Sequence, residues 1–253
     1  MHRTKKAAII LAAGKGKRMA SDIPKVLHTI NGRPMVEYVI DNVRNAGFAD
    51  IVVVIGHKHN QVAQQLKGTG VDFVVQYEQH GTGHAVMCAQ PKFSDFDGIM
   101  LVLAGDMPLV SADTIQKLTD THIRSGDVAT VLTVKLPDPA GYGRIVRDPR
   151  GNFVRIVEDR DADGETLKIA EVNTAIICFN AGPLFRVLKE LKCDNEQGEY
   201  YLTDSIGIFS GRGEKVEAVI ADDYHEGMGI NSFEQLREVE EIIISRGQAI
   251  KKC

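Results

Sequence analysis

Gly14-Lys15-Gly16-Lys17-Arg18 sets bare backbone and three cations in one short loop, directly after the apolar run Ala7 to Ala13. Glycines let backbone N–H groups close on an anion, and Lys and Arg neutralise its charge, so the loop suits a phosphate. It is not a dinucleotide fingerprint, which asks for glycine where Met19 stands. Nor is it a P-loop, which asks for Ser or Thr after Gly-Lys. A basic surface turn is the plain alternative. Asp22-Ile23-Pro24-Lys25 adds another lysine on a proline-fixed backbone, within reach of the same anion.

The most specific string is Gln76-Tyr77-Glu78-Gln79-His80-Gly81-Thr82-Gly83-His84-Ala85. A glutamine amide offers a donor and an acceptor side by side, which suits the imide edge of uracil. Glycine at 81 lets backbone approach a base. A strand-to-helix turn with its glutamines in water is the alternative. Asp106 follows the strand-like run Ile99 to Leu103, and the carboxyl ends of such strands are where open α/β sheets bind ligands. A carboxylate there is a hard oxygen donor fit for Mg2+, unless it merely caps a helix. Two other patterns carry less. Asp159-Arg160-Asp161-Ala162-Asp163-Gly164 opens like an EF-hand loop, but Ala170 stands where the bidentate glutamate belongs, so a solvated acidic turn is expected. His57 and His59 lack a third ligand nearby and are expected in an exposed loop.

These groups need a scaffold, and the pattern supplies one. Val- and Ile-rich runs alternate with amphipathic stretches, the mark of a mostly parallel sheet flanked by helices. Strands are expected at Ala7 to Ala13, Ile51 to Ile55, Val71 to Val75 and Ile99 to Leu103. Helices are expected at Pro34 to Ala46, with Val36, Val39, Ile40 and Val43 as the buried stripe, at His59 to Leu66 and from His84 to Ala89. Ser111 caps a helix to about Arg124. After Ala129 the rhythm turns β-rich: Ala129 to Val134, Gly143 to Val146, Phe153 to Val157 and Val172 to Phe179, with Asp148 to Asn152 a tight turn. Helices follow at Pro183 to Leu191 and Tyr201 to Phe209, then a strand at Val216 to Ile220 and a last helix capped by Ser232.

A net charge of -4, from 30 basic and 34 acidic residues, argues against a non-specific nucleic-acid binder. No run approaches the ~18 apolar residues of a membrane span, and the basic start leads into Gly-Lys-Gly-Lys-Arg rather than a signal cleavage site. Cys88, Cys178, Cys193 and Cys253 are too widely spaced for a zinc site or a disulfide framework, which points to the reducing cytoplasm. Cys88 and Cys178 are expected as small core residues.

Gly-x-Gly-x-Arg-Met followed by Pro-Lys is the pattern of sugar nucleotidyltransferases. With Gln-x-x-Gln-x-Gly-Thr-Gly-His-Ala, Leu-Ala-Gly-Asp-Met-Pro-Leu, Tyr-Gly-Arg-Ile, Ile-Val-Glu-Asp, Val-Asn-Thr-Ala-Ile, Gly-Glu-Tyr-Tyr-Leu-Thr-Asp and Gly-Ile-Asn, the chain resembles the uridyltransferase (pyrophosphorylase) domain of bacterial N-acetylglucosamine-1-phosphate uridyltransferases from about Ala8 to Arg246. The resemblance implies a Rossmann-like nucleotide-diphospho-sugar transferase fold with a smaller β-rich sugar-binding part. It implies UMP transfer from UTP to N-acetylglucosamine 1-phosphate with Mg2+ as cofactor. Arg18 and Lys25 would be catalytic, and Asp106 and Asn231 the metal ligands. Leu11, Ala12, Ala13, Gly14, Lys25, Gln76, Gln79, Gly81 and Thr82 would meet the nucleotide, and Gly105, Gly143, Glu158, Asn173 and Thr203 the sugar. Arg160 stands where relatives often carry lysine, which leaves its role open. The expectation is one nucleotidyltransferase domain, residues 1–253, with a nucleotide half to about 128 and a sugar half over about 129–246. It is expected without the C-terminal β-helix that acetylates glucosamine 1-phosphate and builds trimers in bifunctional relatives. No nucleic acid or membrane partner is expected, and the oligomeric state is open. Two alternatives remain: the same chemistry on another base or sugar 1-phosphate, and a non-catalytic nucleotide-sugar sensing module.

Overall fold

Unbroken Val, Ile and Leu runs suit strands covered on both faces, because alternate side chains leave a strand in opposite directions. The computed structural model describes residues 4–250; residues 1–3, residues 251–253 with Cys253, and the side chains of residues 17 and 248–250 lie outside that description. In chain order come β1 (Lys6–Ala12), the short pair β2 (Thr29–Ile30) and β3 (Arg33–Pro34), α1 (Met35–Asn45), β4 (Asp50–Ile55), α2 (His59–Gln65), β5 (Asp72–Val75), α3 (Thr82–Ala89), β6 (Ile99–Ala104) and α4 (Ala112–Ser125). The second half adds β7 (Ala129–Lys135), β8 (Arg144–Arg147), β9 (Phe153–Val157), β10 (Glu171–Asn180), α5 (Ala181–Val187), α6 (Asp204–Gly211), β11 (Val216–Ile220) and α7 (Phe233–Ile250).

Among the described residues, nine strands form one sheet in the order β11-β7-β10-β6-β1-β4-β5, with β8 and β9 hung from β10. β1 pairs in parallel with β4 and β6, and β4 with β5, so the ends of all four strands face one edge. β10 runs against both β6 and β7. The chain leaves β1 toward β4 on one side and returns to β6 on the other. That reversal opens a crevice beyond the ends of β1 and β6, where doubly wound sheets take ligands. Two cores cover the sheet's faces: Ile9, Val52, Val102 and Ile177 enter one, while Ile10, Val53, Leu101 and Cys178 enter the other.

Local signals behave as their chemistry requires. The α1 stripe Val36, Val39, Ile40 and Val43 is buried. The Ser111 hydroxyl oxygen accepts the Thr114 N–H at 3.1 Å, capping α4. Asp148 folds the β8–β9 turn by accepting the N–H groups of Arg150 and Asn152. Four expectations need correction. α6 starts at Asp204 rather than Tyr201; the residues before it form a turn, with Asp204 N–H on Tyr201 O and Leu202 N–H on the Thr82 hydroxyl. α3 starts at Thr82 rather than His84, with Ala85 N–H already returning to Gly81 O. His57 and His59 are half-buried, and His59 opens α2 edge-on to Tyr77 instead of standing in an exposed loop. Cys178 is fully buried, but Cys88 is only half-buried. The acidic segment forms a short 3-10 turn, Asp159–Asp161, with Asp159 paired to Arg144 at 3.1 Å.

Candidate active site

A cleft of ≈ 860 Å³ opens at the crevice between the two halves. One wall is the β1 loop, Leu11 to Gly16. Gly16 sits at φ +60, and a Cβ there would lie 2.8 Å from Lys25 Cβ, so glycine is what admits Lys25 to the loop. The Lys25 ammonium lies between the Asp106 carboxylate and the Asn231 amide oxygen, the latter 2.6 Å away. The exposed Arg18 guanidinium, on a short 3-10 turn, donates to the same Asn231 oxygen at 2.8 Å. Two cations thus converge on the two expected metal ligands.

The packing explains how Asp106 meets Asn231. Gly105 N–H bonds Leu11 O at 2.9 Å, and Ile230 N–H bonds Asp106 O at 3.0 Å. The Ile230 side chain is fully buried with Ile30, Met35, Leu109 and Val239, anchoring the segment before α7. Gln235 accepts the Asn231 N–H at 2.7 Å, and the Tyr142 hydroxyl accepts the Gly229 N–H at 3.4 Å. Burial pushes the Tyr142 phenol above its ordinary value, with the nearby Asp106 charge adding to the effect.

The wall carrying the residues expected to meet the base follows β5. Gln76 is buried, and its amide nitrogen donates to Gly81 O at 3.0 Å. Gln79 donates to Gln76 O at 3.0 Å, which folds the loop back on itself. Gly81 and Gly83 also serve a second purpose. A Cβ on Gly81 would fall 2.6 Å from Tyr200 O, and one on Gly83 2.6 Å from a Leu191 methyl. With Tyr200 N–H on His80 O and Leu202 N–H on the Thr82 hydroxyl, this loop is the seam between the halves.

On the wall carrying the residues expected to meet the sugar, Glu158 lines the cleft and accepts the Thr203 hydroxyl at 2.8 Å. Burial holds its carboxyl above the ordinary value, the Thr203 bond pulls the other way, and the Asp204, Asp161 and Asp159 charges reinforce the rise. Gly143, Asn173 and Thr203 are buried behind this wall rather than among the lining residues, as is Gly105 near Leu11. A Cβ on Gly143 would lie 3.0 Å from an Ile156 methyl and 3.4 Å from a Glu158 carboxylate oxygen, so a larger residue there would push those side chains back. The Asn173 side-chain oxygen is engaged by Ala175 N–H at 3.0 Å, leaving its amide NH2 to offer. The β10 bulge beside it holds Ala175 at φ +60, a left-handed conformation that alanine rarely takes, at the cleft surface. A second depression lies at the other ends of β1, β4 and β5, near Lys5, Asp50 and Asp72, and gathers none of the expected groups.

Comparison with known proteins identifies the scaffold. Residues 8–172 match the MobA-like NTP transferase domain. The chain belongs to that family. This NTP transferase domain is 48% identical over 233 residues to the bifunctional protein GlmU of Shouchella clausii, covering 92% of this chain and 51% of that protein. It is also 48% identical over 240 residues to the bifunctional protein GlmU of Pelotomaculum thermopropionicum, covering 95% and 52%. The chain spans about half the length of these curated relatives. A putative glucose-1-phosphate thymidylyltransferase from Bacillus anthracis, solved in complex with a sucrose, shares the fold, with a TM-score of 0.75 over 94% of each chain at 22% identity.

Several cleft residues of the NTP transferase domain carried no expectation. Gly141, Ala175, Gln197 and Glu199 line it, and Arg160 stands exposed at its rim. Glu199 sits inside the quoted Gly-Glu-Tyr-Tyr-Leu-Thr-Asp string, so that signal was present. Gln235, four residues after Asn231 at the head of α7, gave none, because its role exists only once the loop is folded. No helix among the described residues is long and apolar enough to cross a membrane.

Proposed function

We propose that the chain catalyses Mg2+-dependent transfer of UMP from UTP to N-acetylglucosamine 1-phosphate, giving UDP-N-acetylglucosamine and pyrophosphate. The observation that carries this reading is the cluster at the cleft's centre, where Lys25 and Arg18 meet Asp106 and Asn231 between a glutamine-bearing base wall and the Glu158–Thr203 wall. Likeness to the bifunctional GlmU proteins across 92% and 95% of this chain supports the same choice of substrates. Residues to about 128 would serve the nucleotide and about 129–246 the acceptor. Cys88, Cys178 and Cys193 are free thiols, in keeping with a reducing, cytoplasmic setting.

Among the described residues, no three His, Cys, Asp or Glu side chains gather as a metal site. Mg2+ does not require such a group, since it binds through one or two protein oxygens plus phosphates and water. The Asp106 and Asn231 oxygens already flank a cation, the Lys25 ammonium, so the pair fits the ion and would hold it. Bound there, Mg2+ would neutralise phosphate charge.

The acceptor phosphate is already an anion, so neither a general base nor a covalent nucleophile is needed. Gln76, Gln79, Gly81 and Thr82 hold the base side of the nucleotide, while Leu11 to Gly14 lie along the triphosphate. Glu158, Thr203 and Asn173, with Gly143 packed against Glu158 and Gly105 held beside Leu11 across the cleft, orient the sugar so that its phosphate attacks in line. Lys25, released from Asp106 and Asn231, then stabilises charge at the α-phosphorus, and Arg18 holds the departing pyrophosphate. Pyrophosphate release across the common nucleoside triphosphates, crossed with a panel of sugar 1-phosphates, tests this. UTP with N-acetylglucosamine 1-phosphate is expected to dominate and to stop with EDTA. Binding of UTP with no pyrophosphate released in Mg2+ favours a sensing module instead.

A further inference from the structure

His84, on the first turn of α3, touches the residue assigned to the base. The Gln76 amide nitrogen lies 3.0 Å from Gly81 O and 3.1 Å from His84 Nδ1. A peptide carbonyl only accepts, so the Gln76 atom facing Gly81 is the nitrogen, and that settles which way the amide is turned. The same nitrogen faces His84 Nδ1, which must therefore carry the lone pair. The neutral ring then keeps its hydrogen on Nε2, which faces Cys88 Sγ at 3.8 Å. Both amide hydrogens of Gln76 are thereby spent, and the amide oxygen is what remains for the cleft that Gln76 lines.

We propose that His84 is a specificity-determining positioning residue: by holding the second Gln76 hydrogen, it leaves the base wall presenting an acceptor only. An acceptor there pairs with the imide N3–H of uracil and opposes the N3 lone pair of cytosine. The inference rests on the reading that Gln76 meets the base. Without His84, one amide hydrogen is free to turn into the cleft while the other stays on Gly81 O. A cytosine N3 could then accept it.

His84→Leu keeps bulk but removes the acceptor, whereas His84→Asn returns an oxygen near the position of Nδ1. The measurement is kcat/KM with UTP and with CTP for all three proteins, at saturating N-acetylglucosamine 1-phosphate. The UTP preference of His84→Leu is expected to fall about tenfold, the worth of one hydrogen bond, and to recover in His84→Asn. An unchanged preference in His84→Leu overturns the inference, and so does an equal loss in both variants. A wild-type chain that does not prefer UTP over CTP fails earlier, at the base assignment itself. Nitrogen NMR of the imidazole rings in the unaltered protein gives a check that needs no variant. His84 with its hydrogen on Nε2 supports the inference, and a hydrogen on Nδ1 overturns it.

Discussion

The two walls of the cleft are built on opposite plans. On the side proposed for the nucleotide, parallel strands end together and hand over short loops whose working groups are backbone N–H and permanent cations, with Arg18 exposed and Lys25 half-buried. On the side proposed for the acceptor a hairpin, a bulged antiparallel strand and the residue before α6 supply the groups, and these are withdrawn from water. Thr203 and Asn173 are buried, and the Glu158 carboxyl is held above its ordinary value by that burial. Exposed cations suit a ligand that brings several negative charges and must leave again. A desolvated carboxylate bonded to a hydroxyl suits a neutral sugar, whose discrimination depends on hydrogen bonds that water would otherwise make.

The largest effect is expected where the two plans meet. Asp106→Ala removes an oxygen from the central cluster, and turnover should fall by about 10²–10³-fold, as when one preorganised stabilising group is lost from a reacting centre. Mn2+ binding followed by electron paramagnetic resonance should disappear with it, while the melting temperature stays within a few degrees. Near-normal turnover in the purified variant would detach Asp106 from the chemistry.

Next comes the acceptor wall. Glu158→Gln keeps the shape and loses the charge, so KM for N-acetylglucosamine 1-phosphate should rise about 10- to 100-fold, the range for a charge-assisted hydrogen bond. KM for UTP should hold. The same variant tests the burial. Because the folded chain keeps the Glu158 proton to higher pH than the unfolded chain, wild type loses stability as pH rises through the folded value. Glu158→Gln should therefore melt with wild type below the ordinary carboxylate range, ~4, and above wild type at neutral pH. Melting curves that stay parallel across that span would show that the wall is wetter than its geometry indicates.

The wall proposed for the nucleotide can be argued largely from local sequence, and the wall proposed for the acceptor cannot. Alternating burial of Ile9 and Ile10, the α1 stripe and the Ser111 cap are local consequences of local residues. Gly14 to Arg18 and Lys25 also sit close in sequence, so their chemistry could be argued from composition alone. Asn231, Glu158 and Thr203 were reached only by resemblance. What brings Asn231 to Asp106 is one hydrogen bond from Ile230 and the burial of its side chain against Leu109 and Val239, and no local pattern records that. Gly81 was legible for an incomplete reason. Approach to a base was expected, whereas the folded chain also needs the glycine to dock Tyr200.

That docking can be tested by a pair of substitutions, one on each wall. Gly81 and Gly141 have φ of +100 and +81, so alanine is strained at both, and more so at Gly81, whose ψ of 179 puts it in a region essentially reserved for glycine. Nothing lies within 4 Å of a Cβ at Gly141, whereas one at Gly81 meets Tyr200 O and Glu199 Cβ. Gly81→Ala should therefore lower the melting temperature more than Gly141→Ala, at about 2–4 °C per kcal/mol for a chain of this size. Equal losses would mean that the seam between the halves gives way cheaply.

The smallest effect is expected at Arg160, which stands at the rim of the acceptor wall and is exposed. Arg160→Lys keeps the charge and loses the planar fork, and exposed charges contribute little through a single contact. KM for the acceptor should change less than about threefold, in line with that weak contribution, and the difference should shrink further as salt is added. The nucleotide KM should not move. A rise beyond tenfold that resists salt would place the guanidinium on the acceptor phosphate as a paired, partly desolvated contact. The acceptor wall would then hold an exposed cation of its own, and the division between a wall of cations and a wall of buried hydrogen bonds would no longer describe the cleft.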